Sequence, residues 1–133
     1  SLVGVLVLWL TICVLRRRAL RSAPRDPQRE FTAQQRREAA NHAGGRCEME
    51  LLPFVRCRAR GSHADHWWPW SAGGASSPDN LVWACAPHNL AKSAHLPSRS
   101  ATSRLAARRR RYWPAQPAPR PGQRYADLFS TQP

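Results

Sequence analysis

The stretch from Cys47 to Ser93 constrains this chain more than any other part of it. Its centre reads Asp65-His66-Trp67-Trp68-Pro69-Trp70-Ser71-Ala72-Gly73-Gly74, and it closes on Asp79-Asn80-Leu81-Val82-Trp83-Ala84-Cys85-Ala86-Pro87-His88-Asn89-Leu90-Ala91-Lys92. Breakers predict a Gly/Ser-rich loop over 71–78, and the apolar run between Asn80 and Cys85 predicts a strand over 80–85. Pro87 suits the first turn of a helix that runs to about His95. On such a helix Asn89 and Lys92 lie one turn apart and share a face. A carboxylate and an imidazole before a tight turn, with an amide and an ammonium on the following helix, are groups that can hold one divalent cation and one general base over a phosphodiester.

The cysteines add a second constraint. Cys47 and Cys57 form one pair of soft ligands, and Cys85 and His88 form another at x-x spacing. Two such pairs suit a tetrahedral Zn²⁺ better than a disulfide framework. Four protein ligands close the site, so this zinc is expected to be structural. The segment Met49-Glu50-Leu51-Leu52-Pro53-Phe54-Val55 separates the first pair and is expected to pack its own apolar side chains. Cys13 lies in an apolar run and reads as a small buried hydrophobe. The alternative is that all the thiols are reduced and buried and that His88 is a surface residue.

Taken together, the D-H-x-x-P-x-S-x-G-G segment and the N-L-x-x-x-C segment resemble the HNH endonuclease family, the ββα-metal nucleases, over roughly residues 31–98. The resemblance implies two antiparallel strands, the first over 60–66, and a helix clasping a metal. It implies His66 as the base, Asn80 as the residue that steadies it, and Asn89 at the third motif position as a ligand. Many members carry His at that position, so this would be an H-N-N variant. The implied catalytic ion is Mg²⁺ or Mn²⁺, held by Asp65 and the Asn89 oxygen, because hard divalent ions prefer oxygen. Lys92, with Arg58 and Arg60, would bind phosphate, which carries little base specificity.

The flanks bring in charge. The net charge is +13, and Lys92 is the only lysine, so nearly all the positive charge is arginine. This predicts attraction to polyanions, DNA foremost, through its backbone. Residues 2–15 are almost wholly apolar and the arginines of 16–21 follow at once. That order predicts a transmembrane segment over 1–15, somewhat short and so with its start possible upstream of Ser1. It places the rest of the chain at the cytoplasmic face of a bacterial membrane as a single-pass protein; a cytoplasmic chain is the alternative. Residues 16–30 read as a basic linker. Thr32 is an N-cap for a helix to about His42, ended by Gly44-Gly45. Residues 99–133 read as a basic, Pro-rich tail: Leu105, Ala106 and Ala107 allow a helix over the arginine run of 104–111, which is a DNA-backbone clamp or a solvated face, and the chain beyond Pro114 is expected to be disordered. The expected fold is therefore small α+β, a zinc-knuckle-stabilised ββα-metal finger with flanking helices between a transmembrane helix and a disordered tail.

Each residue has a plainer role. His66 alone reads as a structural histidine, Asn80 as a turn residue and Asn89 as a surface polar group. His63 and His95 carry no assignment. At least two of Trp67, Trp68 and Trp70 are expected in the core. Two other classes compete with the nuclease: a non-catalytic, zinc-stabilised nucleic-acid-binding module tethered to the membrane, and a membrane protein whose arginines bind anionic lipid.

Overall fold

The computed structural model describes residues 1–130. Among them the chain forms four α-helices and two small antiparallel sheets, a small α+β fold. Helix α1 spans Leu2–Ser22 and α2 spans Ala33–His42. Strands β1 (Glu50–Leu52) and β2 (Val55–Arg56) form one hairpin, and β3 (His63–His66) pairs with β4 (Leu81–Ala84) in the register His63 opposite Ala84 and His66 opposite Leu81. Helix α3 (Ala86–Lys92) follows β4 directly, and α4 covers Arg99–Tyr112.

Local chemistry explains where these elements begin. Thr32 caps α2 by accepting from the Gln35 amide, and the Gln35 side chain accepts from the Thr32 amide, a reciprocal capping box. Gly44 and Gly45 then turn the chain with φ of 65° and 70°. Pro87 occupies the first turn of α3, where its missing N–H costs nothing. The core gathers Cys47, Met49, Cys57, Trp67, Val82, Ala84, Cys85 and Leu105, and a second cluster joins Phe31 and Ala39 to Leu81. The β3–β4 sheet thus sits between α2 on one side and the cysteine cluster and α4 on the other.

Three expectations are corrected. No helix among the described residues is long and apolar enough to cross a membrane, so the transmembrane helix and the single-pass placement in the cytoplasmic membrane are not supported. The physical reason is length. The apolar run stops at Leu15 and Arg16, Arg17 and Arg18 continue the same helix, leaving an apolar rise of about 21 Å against a hydrocarbon core of about 30 Å. Cys13 is only half-buried there, and α1 buries no residue.

The second correction is the disorder expected beyond Pro114; before it, the helix that the arginine run allows is formed. Helix α4 is capped by Ser98 and drives Leu105, Arg108 and Arg109 inward. The run Arg108-Arg109-Arg110-Arg111 looks uniformly solvated when read linearly, but helical periodicity splits it into a buried pair and an exposed pair. The following chain returns to the core: Ala75 donates to Gln123 O, and Gly74 bridges Arg124. The last three residues of the expected tail lie outside the described residues.

The third correction concerns the segment between Cys47 and Cys57. It projects as the β1–β2 hairpin with Leu51, Leu52, Phe54 and Val55 exposed, and of its apolar side chains only Met49 at its base is buried.

Arg109 explains why α4 docks. Its guanidinium is fully buried and grips Glu48 through two bonds, Nε to Oε1 at 2.9 Å and Nη2 to Oε2 at 3.2 Å. Arg109 also donates to Leu81 O, while Tyr112 and the Trp83 amide donate to the Glu48 carboxylate. Burial and the neighbouring Glu48 push the Tyr112 hydroxyl well above its ordinary pKa. Glu48→Ala leaves the Arg109 charge buried and unpaired, and the expected loss of stability is about 3–5 kcal/mol. Urea denaturation followed by tryptophan fluorescence measures it; a loss below about 1 kcal/mol, the range of an exposed pair, would remove this network as the clasp of α4.

Candidate metal cluster and active-site cavity

The hairpin explains how a long gap between Cys47 and Cys57 still gives a ligand pair. Cys47 N donates to Ala59 O, Cys57 N donates to Met49 O, and Arg46 bridges Arg60, so the two ends of the excursion meet at its base. Cys85 at the end of β4 and His88 in the first turn of α3 complete the group. The three Sγ atoms and one imidazole nitrogen all lie within 4.8 Å of one another, and all three thiols are buried.

This geometry can be tested against a metal. Bond lengths of about 2.3 Å for Zn–S and 2.0 Å for Zn–N give tetrahedral S···N edges of about 3.5 Å. His88 Nδ1 stands 3.6 Å from Cys47 Sγ and 3.2 Å from Cys85 Sγ. The Ala59 amide donates to Cys57 Sγ at 3.4 Å. Burial pushes the Cys47 thiol up to about 11, so its thiolate needs a nearby cation. The four residues form a buried Cys₃His group that can hold a metal ion such as zinc.

The second centre lies around Asp65 and His66 at the end of β3. A cavity of about 260 Å³ is lined by Arg29, Phe31, Asp65, His66, Trp70 and Ser93, among others. Two groups hold the His66 ring. Phe31 packs on it with centroids 4.3 Å apart. Its Nε2 stands 2.9 Å from Ser76 Oγ, and Ser76 spends its one hydroxyl proton on Gln28 O. Nε2 must therefore be the donor to Ser76, which assigns the Nε2–H tautomer and leaves the lone pair on Nδ1. The Ser76 amide in turn donates to Asp26 Oδ2 at 2.8 Å, and Asp26 is buried. Burial first and the Lys92 ammonium second lower the His66 pKa to about 4, so the ring is neutral near pH 7.

Asp65 is pulled two ways: burial raises its pKa and Lys92 opposes that. Lys92 Nζ lies 3.3 Å from Asp65 Oδ2 and donates to His66 O at 2.7 Å. That buried oxygen is met by the Lys92 ammonium as an ion pair.

Asn80 is fully buried but does not touch the His66 ring. Its Oδ1 accepts from the Trp68 amide, and its Nδ2 donates to Trp68 O and Ala75 O. Together with Trp67 N donating to Asn80 O, these bonds clamp both ends of the loop that follows His66. Gly74 is needed in that loop: a Cβ there would stand 1.8 Å from Trp68 O. Gly73 adopts φ of 90°, a region that favours glycine. Trp67, Trp68 and Trp70 each satisfy the indole N–H, on Thr102, Ala72 O and Asp26 O respectively.

The other expected site residues are placed as follows. Asn89 sits three residues before Lys92 on α3, half-buried; its side chain makes no hydrogen bond among the described residues, and it does not line the cavity. Arg58 and Arg60 do not line it either. Arg60 is in the bridge to Arg46, and Arg58 lies beside Phe54 and Arg111. Sequence reading missed Asp26, Arg29 and Ser76. The segment 24–30 crosses the Gly-rich loop as a strap, and both Arg25 and Arg29 place their guanidinium about 5 Å from the Trp70 ring centre. The two prolines that suggested a linker, Pro24 and Pro27, are also what keeps such a strap extended.

No family model matches the chain, and no curated protein and no solved structure matches it.

Proposed function

We infer that this chain is a metal-dependent endonuclease of the HNH type that hydrolyses phosphodiester bonds in DNA. The observation that carries this reading is one cavity lined by both a neutral histidine with a free Nδ1 and a buried carboxylate whose Oδ2 is met by the Lys92 ion pair. In this reading His66 Nδ1 takes a proton from the attacking water. Its low basicity suits a site that will receive a phosphodiester, whose negative charge raises it again. Ser76 and Phe31 fix the ring, and Asn80 fixes the backbone behind it. Arg29 lines the cavity and stacks on Trp70, so it is placed to meet a non-bridging phosphate oxygen.

Asp65 would hold Mg²⁺ or Mn²⁺ through Oδ2, which lies in the cavity wall and would exchange its Lys92 ion pair for the metal. Such an ion would neutralise charge developing on the phosphate and leaving oxygen. Zinc at Cys47, Cys57, Cys85 and His88 would have a separate task, tying the hairpin to the β4–α3 junction.

One observation favours a second reading. Lys92 already brings a cation to Asp65, at 3.3 Å. If that pair is the resting partner of Asp65, the chain is a zinc-stabilised nucleic-acid-binding module without catalysis. Cleavage of supercoiled plasmid with and without Mg²⁺ or Mn²⁺ separates the two readings.

A further inference from the structure

We propose that the β1–β2 hairpin is a wedge for the groove of duplex DNA, with its apolar tip entering between base pairs and its flanking arginines holding the phosphates on either side. This rests on the nucleic-acid reading above but not on catalysis.

The hairpin breaks the usual rule for a small domain. Four apolar side chains in a row of five residues are left in solvent, with Leu52 67% and Phe54 81% exposed. Singly exposed apolar residues are ordinary, but a contiguous cluster at a projecting tip marks a contact surface. The tip is also rigid. Phe54 is held at φ of 71°, costly for an aromatic residue, and its amide donates to Glu50 Oε2 at 2.9 Å. Glu50 is anchored in turn by Arg104 Nε at 3.0 Å and Arg108 Nη1 at 2.8 Å, both on α4. The Arg104 guanidinium lies 5.5 Å from the Phe54 ring centre. Strain in an exposed aromatic, maintained by two ion pairs to another element, serves no packing purpose within the chain.

Charge selects the occupant. Phe54 and Val55 border a recess of about 450 Å³ whose other walls include Arg58, Arg108, Arg111 and Tyr112. Arg58 and Arg111 are exposed and make no ion pair among the described residues. An apolar tip beside free guanidinium groups complements a polyanion that has apolar faces between its charges. Base pairs between two phosphate backbones have that layout, and apolar wedges that part a base step are commonly built from Leu, Phe and Pro. Leu51-Leu52-Pro53-Phe54 supplies those residue types. A rigid tip is needed to unstack bases, whereas insertion into fluid lipid does not need one.

The test uses the full chain and a short duplex carrying 2-aminopurine, in buffer without added Mg²⁺ or Mn²⁺, so that cleavage plays no part. Wild-type protein should raise 2-aminopurine fluorescence on binding. Leu52→Ser and Phe54→Asn, both at exposed positions and the second compatible with positive φ, should keep the wild-type melting curve. Each should lose the fluorescence rise and bind about tenfold more weakly, the scale of one lost stacking contact. Arg58→Ala and Arg111→Ala should each reduce the slope of log K against log salt by about one. Unchanged fluorescence and affinity in the Leu52 and Phe54 variants would overturn the wedge. So would a result in which those variants keep duplex binding but lose binding to phosphatidylserine vesicles, which would make the tip a lipid contact. Because no cleavage is read, failure of the nuclease reading leaves this result standing.

Discussion

Cys85→Ser is expected to release the metal from the Cys₃His group and to lower the melting temperature by on the order of 15 °C. The argument begins with what the cluster joins. Cys47 and Cys57 lie at the base of the hairpin, Cys85 ends β4 and His88 opens α3, so one ion would tie three elements through four bonds. The core beside it is small, eight buried residues of which three are the cysteines themselves. A core this small gains much of its stability from such a staple. Structural zinc contributes its binding free energy to folding, and losing one ligand of four forfeits about 3 kcal/mol or more; each kcal/mol is about 4–8 °C for a domain near 100 residues. Purified wild-type protein should hold about one zinc per chain by elemental analysis. Cys13→Ser, on α1 and remote from the cluster, should keep both the metal and the melting curve. Zinc-free wild-type protein that melts like Cys85→Ser would show that the thiols are merely buried.

His66→Ala is expected to reduce the rate of metal-dependent cleavage by about 10²–10⁴ while changing duplex affinity less than twofold, since the ring would act in proton transfer and not in binding the backbone. The fold should tolerate the change. Ser76 keeps its bonds to Gln28 O and from its own amide to Asp26, and Asn80 keeps the loop closed. His66→Asn tests the same point with a side chain that can still hydrogen-bond Ser76 but is no base at pH 7. Equal loss in both variants, at unchanged melting temperature, assigns the defect to the missing base. Wild-type cutting by either would take that role away from His66.

The parts legible in the sequence were those with local signatures. The Thr32–Gln35 cap, the glycines after α2 and Pro87 at the start of α3 are read from neighbours within four positions. The cysteine pairs are legible for a different reason: few side chains bind soft metals, so their spacing carries information over a long gap. What stayed hidden was set by contacts distant along the chain. Nothing near Ser76 announces that it will orient His66, or that Asp26, fifty positions away, will hold Ser76. The strap over 24–30 carries prolines and arginines and has the composition of a linker. Arg109 looked like part of a solvated run because its partner Glu48 is 61 positions away. The apolar hairpin misled in the opposite sense: hydrophobicity predicted burial, and the structure exposes it. The N-terminal run suggested a membrane span by composition, but three arginines fall inside the length that a span requires.

The central claim is that Asp65 and His66 serve one metal-dependent hydrolytic site. The most direct measurement is conversion of supercoiled plasmid to nicked or linear product by the full chain, with Mg²⁺ or Mn²⁺ added or withheld. Withholding the ion is preferable to adding EDTA, because a chelator would also strip the Cys₃His group and unfold the protein. The account predicts product with either ion, none without, and none with His66→Ala beside Mg²⁺. A protein that binds the plasmid yet leaves it intact with both ions, at full zinc content and with an unchanged melting curve, would contradict it and leave a binding module in its place.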